Sequence, residues 1–191
     1  ILAGQFSQMR VRLQQQKHDL ANAFGKIHAL ATRDELTGLI NRRQMNELIE
    51  KEIQQSLRLH SQFCIAIIDL DHFKRINDDH GHSAGDEALR QFALKGSQML
   101  RATDSFARWG GEEFLLLMPH SILSLAQEGV ERIRQTLEQM PVLIDVPSVR
   151  LTLSAGIVEH RPGESVDTMI ERADAALYSA KTHGRNRVIV G

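Results

Sequence analysis

The sequence predicts an α/β sandwich, a mixed β-sheet flanked by helices. Three observations carry this reading. Helix-type and strand-type hydrophobic patterns alternate along the chain. Phe63-Cys64-Ile65-Ala66-Ile67-Ile68 is a short, continuous apolar run rich in β-branched residues, as expected of a central strand covered on both faces. Gly110-Gly111 separates two β-type segments, Phe106 to Trp109 and Phe114 to Met118, which marks a tight hairpin. One hairpin among helical connections makes the sheet mixed rather than wholly parallel.

The elements follow in order. Apolar residues at Phe6, Met9, Leu13, Leu20, Ala23, Ile27 and Leu30 are spaced alternately three and four apart, with polar Gln16 filling one place in the series. This is a heptad seam with a and d positions, and it predicts an N-terminal coiled-coil helix. A single amphipathic helix packed on its own domain is the alternative. Thr32 to Leu39 breaks the pattern and reads as a hinge and turn. Asn41 is placed to cap a helix through Met45, Leu48, Ile49 and Ile53. The central strand follows and ends in Asp69-Leu70-Asp71. A polar loop is expected from about Asn77 to Gly85, then a helix from Asp86 to about Leu100. After the hairpin come a helix over 121–139, a strand from Val149 to Val158, a helix from Ser165 to about Thr182 and a closing strand from Arg187 to Val190. The simplest architecture for this order is of the ferredoxin-like, polymerase-palm type. Two units are expected: a dimerisation helix over residues 1–32 and an α/β domain over 33–191.

Composition bounds the function. The chain has 191 residues, 42% hydrophobic and 25% charged, enough for one domain with a sizeable core plus an appendage. Its formal net charge is −1, without the basic excess usual for binding nucleic acid or an anionic membrane, so neither is expected as a partner. The single cysteine, Cys64, lies in the apolar run and reads as a core residue. Without a possible internal disulfide the chain suits a reducing compartment, and a cytoplasmic location is expected. No run is long enough to span a bilayer. Because the chain opens on Ile1, it reads as a fragment of a longer protein, which could be anchored upstream.

The chemistry gathers at the strand ends. Asp69 sits where the hydrophobic strand stops, and Glu112 and Glu113 sit at the hairpin tip. If those strands are neighbours, the carboxylates converge at one sheet edge. Such a set suits Mg²⁺, which takes oxygen ligands and keeps waters or substrate phosphates in its shell. Gly110 and Gly111 lack Cβ atoms, so a nucleotide could approach the backbone there; a plain hairpin turn is the alternative. Lys74 follows the strand end. Lys181 and Arg185 are four apart near the end of the last helix, placed either to bind phosphates or simply to complement the helix terminus.

These residues belong to longer blocks: Asp34 to Arg43, Asp69 to Asp78, Gly81-His82, Gly85-Asp86, Arg108 to Phe114, Ala176 to Lys181 and Gly184 to Arg187. In order and in spacing they resemble the GGDEF family of diguanylate cyclases over residues 33–191, with a GGEEF variant at 110–114. The resemblance implies an enzyme that joins two GTP into cyclic di-GMP. It implies Mg²⁺, with Mn²⁺ as an alternative, held by Asp69, the Leu70 carbonyl and Glu112. Glu112, Lys74 and Asp69 would be catalytic. Asn77, His82, Asp86, Phe73, Gly110, Gly111, Lys181 and Arg185 would bind substrate: Asn77 and Asp86 at the guanine edge, Lys181 and Arg185 at the outer phosphates. An Asp suits guanine because its carboxylate accepts from N1–H and N2–H₂, donors that adenine does not match.

Arg101 and Asp104 stand at the family's inhibitory product site, where cyclic di-GMP would bind; outside that context a local ion pair would explain them as well. The implied assembly is a homodimer, with one GTP on each domain. Two other readings compete with an active cyclase. One is a non-catalytic module that senses GTP or cyclic di-GMP. The other is a scaffold in which the helix matters and the site is vestigial.

Overall fold

Asn41 leaves its strand in extended backbone, and its side chain accepts a hydrogen bond from the Gln44 amide, starting the first helix where the sequence places it. A computed structural model of the chain describes residues 14–17, 31–142 and 149–191. Gln14 to Lys17 are helical and exposed, Gln16 among them. The apolar residues of the predicted seam, from Phe6 to Leu30, lie outside the described residues.

The elements are β1 (Ile40–Asn41), α1 (Arg42–Leu59), β2 (Phe63–Leu70), α2 (Phe73–His80), α3 (His82–Gln98), β3 (Ser105–Arg108), β4 (Glu113–Pro119), α4 (Leu123–Gln139), β5 (Leu153–Glu159), α5 (Val166–Thr182) and β6 (Val188–Val190). The six strands form one sheet in the order β1-β3-β4-β2-β5-β6. Its two outer pairs, β1 with β3 and β5 with β6, are parallel, and the inner pairs are antiparallel. The mixed sheet expected from the Gly-Gly hairpin is therefore present.

β2 lies inside the sheet and is buried along its whole length, so its parity assigns side chains to two cores. Cys64, Ala66, Ile68 and Leu70 pack beneath α2, α3 and α4, beside stacked Phe106 and Phe114, with Phe92 edge-on to both rings. Phe63, Ile65 and Ile67 pack beneath α1 and α5, with Ile49, Leu115, Met169 and Leu177. Each such large side chain, once buried, contributes about 1.5–3 kcal/mol. Helices cover both faces, giving three layers.

β5 and α5 meet backbone to backbone. A Cβ at Gly156 would lie 2.1 Å from the Ala173 carbonyl oxygen and 2.4 Å from the Leu177 amide nitrogen. Only glycine permits that approach.

Several element boundaries differ from expectation. The polar stretch expected as a loop from Asn77 to Gly85 is mostly helical. α2 runs to His80, α3 begins at His82, and only Gly81, with φ of 85°, separates them. Phe73 and Ile76 bury one face of α2, so two apolar anchors a turn apart carry a helix whose other residues are polar. β5 begins at Leu153 rather than Val149, and α4 at Leu123 rather than 121. β1 was not expected at all: two residues give no periodicity to read, and tertiary pairing with β3 alone defines them.

Candidate active site

β2 and β4 are antiparallel neighbours, with Asp69 opposite Glu113. Beyond that pair the Leu70 amide donates to the Glu112 carbonyl at 3.3 Å, which closes the hairpin tip onto the end of β2. Asp69 has the parity of Ile65 and Ile67, so it faces the α5 layer. There the Lys181 ammonium meets its carboxylate at 2.8 Å. Asp69 is 8% exposed. Burial pushes its carboxyl above the ordinary range, against the pull of Lys181, with Glu113 and Asp71 adding to the rise. Glu112 is raised as well, by burial and then by the charge on Asp69. The expected convergence of Asp69 with Glu112 and Glu113 at one sheet edge is thus present, and Lys181, expected with Arg185 at the phosphates, meets Asp69 there.

The donor chemistry fits a hard divalent cation. Two carboxylates are destabilised as anions by burial, Glu112 further by the charge on Asp69 and Asp69 by those on Glu113 and Asp71, and the cation that meets Asp69 is the Lys181 ammonium. No cluster of three or more His, Cys, Asp or Glu side chains arranged for a metal occurs among the described residues.

The hairpin tip is fixed from one side. Arg108 donates from Nε and Nη2 to the Gly111 carbonyl at 3.1 and 2.8 Å, and its Nη1 reaches Asp34 at 3.3 Å. Asp34 also accepts from the Thr37 amide and hydroxyl, and these bonds hold its carboxyl below the ordinary range despite burial. Glu113 accepts through its main-chain oxygen from the amides of Trp109 and Gly110. Arg42 lies 4.5 Å from the centre of the Trp109 ring, a cation–π contact from the start of α1.

Asn77, on α2, and Asp86, on α3, are both half-buried. The two helices approach so closely that a Cβ at Gly85 would lie 2.0 Å from the Asn77 side-chain oxygen and 3.1 Å from the Phe73 ring. Phe73 is 5% exposed and forms the floor beneath this junction. Lys74, His82 and Arg185 are exposed, and no hydrogen bond or ion pair joins their side chains to the Asp69 cluster.

On another face, Arg101 and Asp104 line a recess together with Arg132, Glu128 and Leu125 of α4. Asp104 accepts from the Arg101 amide at 2.9 Å through one oxygen, while its other oxygen is buried without a partner. The ion pair that was the alternative reading of Arg101 and Asp104 is not formed between their side chains among the described contacts. Arg132, Arg108 and Asp71 were not singled out from the sequence. Arg108 stands in the same block as Gly110-Gly111 and carried a signal; Arg132 has none, because only the fold brings α4 to Arg101.

The chain was compared with known families, curated proteins and solved structures. Residues 31–187 match the family described as diguanylate cyclase, GGDEF domain. The chain is 41% identical over 160 residues to diguanylate cyclase DgcP of Pseudomonas aeruginosa, covering 84% of this chain and 24% of that one. It is 42% identical over 159 residues to diguanylate cyclase DgcM of Escherichia coli, covering 83% and 38%. It therefore spans well under half the length of these relatives. Among solved structures, the coiled coil and GGDEF domain of DgcB from Caulobacter crescentus in complex with c-di-GMP superposes with a TM-score of 0.87 at 31% identity, covering 96% of this chain and 99% of that one. Diguanylate cyclase SiaD of Pseudomonas aeruginosa, in complex with its activator SiaC, gives 0.82 at 37% identity, covering 98% and 71%.

Proposed function

The chain belongs to the diguanylate cyclase GGDEF-domain family, and from that membership we propose that it condenses two GTP molecules into cyclic di-GMP. Each 3′-hydroxyl attacks the α-phosphorus of the other GTP. A new P–O ester bond forms, the bond to the β-phosphate breaks, two pyrophosphates leave and two hydroxyl protons are released. The observation that carries the reading is the meeting of Asp69, Glu112 and Lys181 where β2 and the hairpin end.

Asp69, the Leu70 carbonyl and Glu112 would hold Mg²⁺, or Mn²⁺ in its place, which supplies Lewis-acid charge to the phosphates when bound. Glu112 also accepts a proton from the attacking hydroxyl. Lys74 offsets charge on the phosphates, and Lys181 and Arg185 bind the outer ones. Gly110 and Gly111 admit the nucleotide close to the backbone. Asn77, Asp86 and His82 read the guanine edge above Phe73. Cyclic di-GMP binds at Arg101 and Asp104, where the orphaned Asp104 oxygen supports the reading by offering an unused acceptor to a guanine donor. The assembly is a homodimer joined through residues 1–32, with the α/β domain over 33–191 as its output. Neither nucleic acid nor membrane is a partner of residues 1–191, and the substrate suits a cytoplasmic location. No helix among the described residues is long and apolar enough to cross a membrane.

Incubation with GTP and Mg²⁺ across a range of protein concentrations, read by chromatography, tests this. Cyclic di-GMP formation by the parent and its loss in Glu112→Gln are expected. Nucleotide binding with no product would favour a sensing module instead.

A further inference from the structure

Two consecutive non-glycine residues, Arg185 and Asn186, hold left-handed backbone, with φ of 61° and 47°. In that conformation a Cβ crowds the neighbouring carbonyl, and Arg has no local hydrogen bond to offset it as Asn does. The strain is held in place from several directions. Asp71, 4% exposed, accepts from the Asn186 amide at 3.0 Å. The same carboxylate accepts from the Thr152 and Ser154 hydroxyls, each at 2.7 Å. Its oxygens are therefore committed within the protein, although it stands two residues beyond Asp69. From α4, Arg134 donates to the Asn186 side-chain oxygen, and the Asn186 amide group donates to Glu138 at 2.8 Å. Arg134 is itself fixed by Glu131 at 2.7 Å and Glu138 at 2.9 Å. From the helix side, the Arg185 amide donates to the Ala180 carbonyl at 3.0 Å, one residue before Lys181.

So much support around one exposed arginine has a use only if its direction matters. We propose that Asp71 and Asn186 form a clamp that positions Arg185 beside the end of β2 to receive the outer phosphates of the nucleotide. Asp71 and Asn186 are positioning residues and touch no substrate themselves. The proposal rests on the reading above in which Arg185 binds phosphate.

The experiment measures binding by calorimetry in Mg²⁺ with two probes. 3′-Deoxy-GTP carries the outer phosphates but lacks the attacking hydroxyl, and GMP lacks the outer phosphates. Arg185→Ala should weaken 3′-deoxy-GTP by about tenfold, the loss of a charge-assisted hydrogen bond, and leave GMP unchanged. Asn186→Ala and Asp71→Asn should weaken 3′-deoxy-GTP several-fold and also spare GMP. Asn186→Ala added to Arg185→Ala should cost nothing further, since both act through one guanidinium. Asp71 also joins β2 to β5, so if Asp71→Asn does not fold, Asn186→Ala decides alone. Parental 3′-deoxy-GTP affinity in Asn186→Ala, with Arg185→Ala weakened, overturns the clamp. So does an equal loss for both probes, which would mark general damage. Parental affinity in Arg185→Ala removes the phosphate role of Arg185 itself, and the clamp falls with it.

Discussion

Glu112 and Asp69 are held close where burial favours neither charge, so the site is built at the expense of the fold. The folded protein keeps the Glu112 proton to a higher pH than the unfolded chain does. Raising the pH through that window strips the proton from the unfolded chain first, and stability falls. In chelator, melting curves of Glu112→Gln and parent should therefore coincide at acid pH and diverge as pH rises above the ordinary carboxylate range, with the variant melting higher. Its turnover should drop by about a hundredfold or more, because a base and a metal ligand go together. At Gly85, alanine would drive a methyl into the Asn77 side chain. Gly85→Ala should weaken GTP binding, and Asn77→Ala in the same chain should relieve the clash without restoring guanine contacts; calorimetry on the three variants checks this. The acidic pair and the glycines were legible because their residue types announce their chemistry. The contact between Gly85 and Asn77 was not, since the intervening residues read as a polar loop.

The elements carry a different lesson. β2 declared itself through an unbroken apolar run, and α1 through its Asn41 cap and its spacing. α2 hid because its buried face is only Phe73 and Ile76. That misreading left Asn77 and His82 on a loop, with Asp86 opening the helix after it, whereas two helices hold all three. α4 was correctly read as a helix, yet its partners were invisible in sequence. It supplies Arg132 to the recess of Arg101 and Asp104 and Arg134 to the turn that bears Arg185. Arg101→Ala should relieve inhibition by cyclic di-GMP and leave the initial rate close to parental. Arg132→Ala, altering the same recess from the other side, should do likewise. Progress curves with added product measure both, and unchanged inhibition in the two variants would reduce the recess to a surface feature.

At the scale of the whole molecule, the sheet order brings together segments that are distant in sequence, and α5 closes the site from the far end of the chain. One domain holds half of the reacting pair, so a tether between two domains raises the effective concentration of one GTP for the other. Leu13→Asp with Leu20→Asp, two a positions of the predicted seam, should give a more monomeric protein. Its specific activity should fall most at low concentration and recover in part at high concentration; light scattering and rate over one dilution series measure both. The domain itself has a fixed datum. Because Gly156 lets the backbones of β5 and α5 touch, the sheet and the helix that carries Lys181 are seated on each other at that point without a side chain between them. The separation of the main chains from which Lys181 and Asp69 reach for each other is then referenced to that contact, like a gauge block, and a single methyl at Gly156 would widen it while leaving every charged group of the site in the sequence.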